Sequence, residues 1–486
     1  MNFELDLFQR TVIGWNDVLV ASLQRRGLPT ALTGLLHSLL PLLELALLVT
    51  VVALAAGRVD RLWAERSRDG TRRMVLVALQ AAAGLFALRL LYWVYLHPSA
   101  ELSALPFRWD YLVMAILGGL VLRRVPRQAR SWAIALLSTV LVFQYIGVAL
   151  VRVILIACLL GFAATRWRVT NRPGVRVAVH GALMGGLLAW LWWLRPTDAW
   201  SALKGWGLFS FVAFRHVSFA VESARGVPAT LCGYLCYLLF FPNCMGAMEV
   251  YDEFHERNLA RDPPAEFGRA ALMVVRGNTL VLLALMIPMD AERVNASVGF
   301  ASMWSSTMIL FFRAAVGSIG IWDGIEGGAL FLGIRLRPNF RDVLKAITPS
   351  QFWRAWRATM TNWLIRYVYI PLGGNRRHQT ANIFAAFLVS TVWHCLGIPF
   401  LRPESWRPYE LIPIVAWGAL NCAGVATHAQ LRRRRPPAPS CAPLLAVKWA
   451  LAMVFGSLTV LLLGFSLGGI EHFGHVVRTL IGLEGW

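Results

Sequence analysis

Apolar residues run along this chain in long blocks, and the polar residues between the blocks are dominated by arginine. Blocks at 29–57, 74–96, 111–122, 131–162, 177–194, 206–221, 228–250, 272–289 and 301–321, with more beyond, predict an all-α polytopic architecture. Measured against the ~20 residues that cross a bilayer, they amount to roughly ten to twelve transmembrane helices. The arginines after residue 57 place that loop in the cytoplasm and the amino terminus outside, and 74–96 returns outward. The block 111–122 is short for an upright crossing. The block 131–162 lies between two arginine clusters and is expected to enter and leave on one side as two short legs. Such broken geometry is tolerated only where protein or water covers the backbone. After 252–265, a polar loop ending Asp262-Pro263-Pro264, the glycine-rich run 323–328 is expected to interrupt the helical pattern. Arg432 to Pro437 reads as a linker between the last crossings, and no internal repeat is visible.

Composition agrees with the blocks. Of 486 residues 57% are hydrophobic and 15% charged, and mean hydropathy is +0.56, outside the range of ordinary soluble domains. The net charge of +21 does not point to nucleic acid, because the positive residues sit in short loops between apolar blocks, the positive-inside pattern. Seven cysteines lie mostly in apolar runs and read as small buried hydrophobes. Cys232 and Cys236 share a helix face but have no second ligand pair, so no metal site is expected. The first 27 residues lack a basic start followed by an apolar core, so no cleaved signal peptide is indicated.

The chemistry concentrates between 348 and 395. Thr348-Pro349-Ser350-Gln351 reads as a helix start, with Thr348 as cap, Pro349 in the first turn and Gln351 completing a capping box. One helix is expected from there to Tyr367, with Trp353, Trp356, Trp363 and Tyr367 on one face and Arg354, Arg357 and Arg366 on others. Pro371 and Gly373-Gly374-Asn375 end it on the cytoplasmic side. The next helix carries Trp393 and His394 to membrane depth. An ionisable group inside a membrane segment is a functional-site candidate, and a neutral imidazole can take a proton from an attacking alcohol. A core histidine bonded to a backbone carbonyl is the alternative. Elsewhere, Glu249, Asp252 and Glu253 read as a solvated helix end, Asp323 and Glu326 as helix-end or loop contacts, and His216 beside Arg215 has no evident partner. Cys395 is a weak candidate nucleophile, since adjacent helical residues do not face each other.

The residues Phe352-Trp353-Arg354, Trp356, Trp363, Tyr367, Tyr369 to Arg376, Asn382 and Trp393-His394 resemble the membrane-bound O-acyltransferase superfamily, in its bacterial branch of polysaccharide O-acetyltransferases. The likeness is strong over 338–399 and faint from about 206 to the end, with weaker echoes at Phe240-Phe241-Pro242 and around Phe465. It implies one integral-membrane domain over 1–486, a ring of helices around a funnelled catalytic centre. An acyl group, acetyl by implication, would pass from a cytoplasmic thioester to a hydroxyl of an extracytoplasmic polysaccharide or related acceptor. The family's invariant histidine maps onto His394. Arg357 and Asn362 would position donor or oxyanion, and Trp353, Trp356, Trp363, Tyr369, Trp393, Asn375 and Arg376 would bind substrate. No permanently bound cofactor is implied; acetyl-CoA or an acyl carrier protein is the co-substrate. The resemblance also implies a bacterial inner membrane location and a secreted acyltransferase partner.

The chain departs from the family pattern at four positions. Arginine stands at 357 where the branch usually has histidine, and at 366 where it commonly has aspartate. Cys395 replaces a glycine, and Asn421 stands where a later histidine is expected. An arginine cannot serve as a base at physiological pH. The alternatives to the polysaccharide reading are an acyltransferase for a lipid or hydrophobic metabolite, and a non-catalytic or transport-type homologue.

Overall fold

The computed structural model describes residues 125–146, 148–166, 173–193, 199–241, 246–261, 266–287, 300–401, 407–434 and 441–466, with isolated positions in 115–122 and 475–479. The expected crossings at 29–57 and 74–96, and the placement of the amino terminus, lie outside them. The described residues are helical, with no strand among them.

Helices α1 (Arg127–Ile146) and α2 (Val148–Arg166) have 20 and 19 residues, each about 30 Å long at 1.5 Å per residue. This corrects the expectation of two short legs. The stretch 131–162 contains no proline, and both helices borrow turns from the flanking arginine clusters, since backbone hydrogen bonding continues where hydrophobicity stops. Helices α3 (Pro173–Trp193) and α4 (Ala199–Ala224) follow. The apolar block 228–250 forms only the nine-residue α5 (Leu231–Leu239), capped by Thr230 Oγ1, which accepts from Gly233 N. Residues 247–250 leave the helical conformation and lead into the short α6 (Tyr251–Phe254), which widens into a π-turn at His255–Leu259.

Helix α7 (Phe267–Met286) precedes the 32-residue α8 (Phe300–Phe331). The glycine-rich run 323–328 lies inside α8 and does not interrupt it. Its glycines serve close packing. A Cβ at Gly277 would fall 2.5 Å from Gly320 O, and one at Gly327 would fall 2.7 Å from Ala270 O. Small residues that let backbones approach are the usual solution where lipid supplies no hydrophobic drive. Asp323 is not a loop contact either: both carboxylate oxygens pair with Arg276 of α7, at 2.6 Å each.

The chain divides into two compact units. The smaller contains Pro263–Met286 and Val316–Arg335, and the larger Pro126–Asp262, Ile287–Ala315 and Leu336–Trp486. The larger continues through α9 (Pro349–Ala355), α10 (Ala358–Leu364), α11 (Gln379–Leu401), α12 (Ile412–Arg434) and α13 (Ala442–Ser466). Glycines again set the spacing: Gly418 of α12 faces Thr391 of α11, Gly424 faces Phe455 of α13, and Gly456 of α13 faces Phe352 of α9.

Among the described residues four helices are long and apolar enough to cross a membrane: Phe300–Phe331, Gln379–Pro399, Pro408–Arg433 and Ala442–Val460. Leu388, Val392 and Leu396 on α11, and Val447 and Leu451 on α13, expose large apolar side chains. Water would penalise such surface and lipid does not. The protein is a multi-pass membrane protein.

Candidate active site

His394 sits on α11, partly enclosed. Its Nδ1 lies 2.7 Å from the carbonyl oxygen of Ser390. A carbonyl only accepts, so Nδ1 carries the proton, and the neutral ring keeps its lone pair on Nε2. The backbone contact that would make this a structural histidine therefore also fixes the tautomer a general base needs. The ring packs against Trp417 of α12, with centroids 5.1 Å apart.

A second element reaches the same place by breaking. The single helix expected from 349 to 367 stops at Ala355 and restarts at Ala358. Between them Arg357 adopts φ 47° and ψ 52°, the left-handed region that a β-substituted residue rarely enters. Asn339 holds the break open. Its carbonyl accepts from Ala358 N at 2.8 Å, and its Oδ1 accepts from Thr359 N at 3.1 Å and from Thr359 Oγ1 at 2.7 Å. The amides that would have continued the helix are thus satisfied from outside it. Upstream the predicted start is present: Thr348 Oγ1 accepts from Gln351 N at 3.1 Å, although Gln351 Oε1 reaches Ile347 N rather than the cap residue.

The break leaves Arg357 at the junction between α9 and α10. The Arg357 side chain is accessible. Trp353 completes this corner. Its Nε1 donates to Asn421 Oδ1 at 2.8 Å, and Asn421 Nδ2 donates to Trp417 O at 2.8 Å. The fully buried Asn421 thereby ties α9 to the helix that backs the imidazole.

The remaining sequence-derived candidates lie elsewhere. Trp393 faces away from His394: it stacks on Trp206 and Phe209 of α4 and donates to Ser210 Oγ at 3.1 Å. Trp356 packs among Phe311, Phe340 and Phe352. Trp363 is buried against Phe214 and donates to its carbonyl at 3.0 Å. Asn362 Nδ2 is directed at Glu253 Oε1, 3.4 Å away. Tyr369, Asn375 and Arg376 share the exposed turn before α11, where Tyr369 donates to Asn375 Oδ1 at 2.6 Å. From Gln379 to His394 is about 22 Å along the helix at 1.5 Å per residue, so this turn is a separate cluster. Asn382 latches it, donating to Gly374 O at 2.9 Å and Arg377 O at 2.7 Å.

Residues 190–401 match the family model of MBOAT, the membrane-bound O-acyltransferase family. That stretch, less than half of the chain, is similar to the membrane-bound O-acyltransferases. Both His394 and the broken α9–α10 segment lie inside it. The chain is 26% identical over 214 residues to an alginate O-acetylase, AlgI, of Pseudomonas syringae pv. tomato, covering 41% of this chain and 40% of that protein. It is 27% identical over 192 residues to a peptidoglycan O-acetyltransferase of Helicobacter pylori, covering 39% and 33%. A shorter stretch of 69 residues is 39% identical to the membrane-bound O-acyltransferase gup1 of Schizosaccharomyces pombe. The matches span two fifths or less of these relatives' length.

The matched stretch also holds the carboxylates read above as a solvated helix end, Glu249, Asp252 and Glu253. Glu249 is not solvated, whereas Asp252 and Glu253 keep 30% and 29% of their side-chain surface exposed. Glu222 of α4 is 2% exposed and Glu249 is 1% exposed. Arg366, at the π-turn Ile365–Tyr369, donates to Glu222 Oε1 at 3.1 Å and pairs with Asp252. Tyr367 OH donates to Glu222 Oε1 at 2.8 Å. Arg337 pairs with Glu253 at 2.7 Å, and Arg257 pairs with Glu249. Burial works against the Arg366 charge, but its bonds to Asp252 and Glu222 more than offset this and hold the guanidinium above its usual range. Burial likewise pushes the Glu249 carboxyl up, while Arg257 and the Arg337 amide pull it down.

His216 does have partners: its Nδ1 meets Tyr234 OH at 2.8 Å and its Nε2 meets His180 Nδ1 at 2.9 Å. Its neighbour Arg215 is fully buried and donates to the carbonyls of Ala247 and Leu238. Among the described residues no group of three histidines, cysteines or carboxylates is placed to hold a metal ion. Sequence reasoning missed Asn339, Trp417 and Glu222. Only Ser390 carried a signal, as the residue one helical turn before His394.

Proposed function

We propose that this protein is an O-acyltransferase that moves an acetyl group from a cytoplasmic thioester onto a hydroxyl of an extracytoplasmic polysaccharide. The observation that carries the reading is the fixed tautomer of His394, whose Nδ1 is bound by the Ser390 carbonyl so that Nε2 can accept a proton, within the stretch that matches the O-acyltransferase family. The acceptor hydroxyl gives its proton to Nε2 while its oxygen attacks the thioester carbonyl. The tetrahedral oxyanion collapses, the C–S bond breaks, and the imidazolium returns the proton to the leaving thiolate. No acyl-enzyme is needed, and Cys395 has no part in the step. A preorganised donor aimed at the oxyanion is the usual source of rate, and Arg357, which the resemblance puts in this role, would supply it.

The reading extends to the donor. The exposed arginines at 376 and 377 cluster at the turn before α11, and Arg433 joins them by donating to Asn375 O at 2.6 Å. This cluster, about 22 Å from the base at 1.5 Å per helical residue, suits the phosphates of a pantetheine-bearing donor whose thioester lies at His394. With it go ten to twelve crossings in a ring around a thinned centre, a bacterial inner membrane location, and a secreted partner that receives or places the acyl group.

The test is substitution of His394 by Gln or Ala in the intact protein, with its membrane level monitored alongside acetylation of surface polysaccharide and of lipid. Loss of polysaccharide acetylation at normal protein level is expected. Unchanged acetylation sinks the reading in favour of a non-catalytic homologue, and loss confined to lipid acylation moves the acceptor to the lipid class.

A further inference from the structure

We infer that Trp417 touches the reacting acyl group, its indole N–H donating to the carbonyl oxygen while His394 handles the proton. This role rests on the reading of His394 as the base. Trp417 lies against that ring, with centroids 5.1 Å apart and planes at 57°. Trp353 meets it edge to face, 6.0 Å away at 84°. Trp417 is 3% exposed, and among the described residues its Nε1 has no acceptor. Other indoles of this protein do: Trp353, Trp363, Trp393 and Trp449 each donate Nε1–H to a protein oxygen. A buried donor left unpaired costs stability, and such exceptions call for a ligand or a function. The acceptor that helical spacing offers is already taken. Asn421 stands one turn beyond Trp417 on the same face, but its Oδ1 accepts from Trp353 at 2.8 Å.

The chemistry selects the carbonyl oxygen as the partner. A donor bound to the attacking hydroxyl would tie up the lone pair that must form the new C–O bond. The leaving sulfur takes its proton from the imidazolium. The carbonyl oxygen gains charge as the hydroxyl adds, so an N–H held there binds the transition state more tightly than the ground state. The indole gives up no proton, and the hydroxyl proton still passes to Nε2 and then to the thiolate. Trp417 Nε1 is closed off from solvent, whereas His394 and Trp353 are only partly enclosed. The acyl group therefore reaches the N–H from the side of those two rings.

The full-length protein in nanodiscs is prepared with nitrogen-labelled tryptophan, and Trp417→Phe assigns the Trp417 N–H signal. The probe is the ketone analogue of acetyl-pantetheine, with a methylene in place of the sulfur, offered on CoA and on an acyl carrier protein. The ethyl thioether, which lacks the carbonyl, is the control. A downfield shift of the Trp417 N–H is expected with the ketone and not with the thioether, in the native protein and in His394→Ala alike. Trp417→Phe should lower kcat on the order of a hundredfold, the usual loss for one oxyanion donor, with KM little changed. An indole isostere at 417 carrying sulfur in place of the N–H should do the same at normal protein level, which separates a lost donor from lost packing. A Trp417 signal that ignores the ketone on both carriers overturns the inference, as does native turnover in the sulfur isostere. A ketone shift in a protein whose acetyl transfer survives His394→Ala leaves the Trp417 contact standing and removes the reading of His394 instead.

Discussion

Arg366→Met tests whether the buried carboxylate cluster holds the domain together. The methionine keeps an unbranched stem and removes the charge and every donor. Arg366 gives Glu222 a hydrogen bond at 3.1 Å and pairs with Asp252. Breaking a fully buried pair costs about 3–5 kcal/mol, because the surviving charge is left unpaired. That figure needs reduction here. Arg366 and Asp252 are 29% and 30% exposed, so solvent screens part of their attraction. Glu222, at 2% exposure, retains the Tyr367 hydroxyl at 2.8 Å and the half-exposed Arg225 at 3.0 Å. About 2 kcal/mol of destabilisation should remain.

Unfolding by SDS in mixed micelles measures it, with Glu222→Gln and the double variant completing a mutant cycle. The cycle should return a coupling of about 1–2 kcal/mol, since the two residues share one hydrogen-bonded network. Arg261→Met is the control: its pair with Glu256 has side chains 67% and 68% exposed, and its loss should lie within error. An Arg366→Met effect no larger than the control, or a coupling of zero, refutes the argument. The carboxylates would then be held by the helices around them, not by the arginine.

Two further perturbations probe the site's supports. Asn421→Leu should leave the Trp353 indole without its acceptor inside the protein, at about 1–3 kcal/mol, and should lower acetyl transfer more than it lowers the yield of folded protein; a turnover unchanged from the native enzyme would show that α9 keeps its place without the link. Gly418→Ala should drive its new methyl into Thr391 Oγ1 and cost about 1–3 kcal/mol by overpacking, with Thr391→Ala in the same chain restoring part of the loss in the SDS titration.

Much of the fold was legible because membrane helices announce themselves by composition. Helices α3 and α7 correspond to apolar runs visible in the sequence, and the cap at Thr348 was readable from four residues. Errors arose where hydrophobicity and backbone hydrogen bonding part company. Helices α1 and α2 run on into arginines that a hydropathy reading assigns to loops. The glycines of 323–328 look like a break but are surrounded by a helix whose neighbour, α7, needs their missing side chains. The block 228–250 looks like a crossing, yet α5 ends after nine residues and Pro242 follows shortly in the sequence.

The site was less legible for a reason that concerns distance along the chain. His394 could be singled out from its type and surroundings, but the helix from 349 to 367 gave no local sign of breaking at Arg357. Nothing between Trp353 and Trp363 is a helix breaker. The break is imposed by Asn339, eighteen residues upstream, whose carbonyl and side chain take the amides of Ala358 and Thr359. Asn339 is itself held, donating to Gly246 O at 3.1 Å, and Thr359 Oγ1 accepts from Met248 N at 3.2 Å. The segment carrying Gly246 and Met248 also carries Glu249 and leads into Asp252 and Glu253. The two arginines that depart from the family pattern are therefore supported from the same stretch of chain. At 366 that stretch supplies counter-charge, and the arginine is consumed by structure. At 357 it supplies backbone restraint, and the arginine is left accessible. A replacement that the fold neutralises at one position and leaves accessible at the other argues that Arg366 holds the domain, while Arg357 remains available for the role proposed for it.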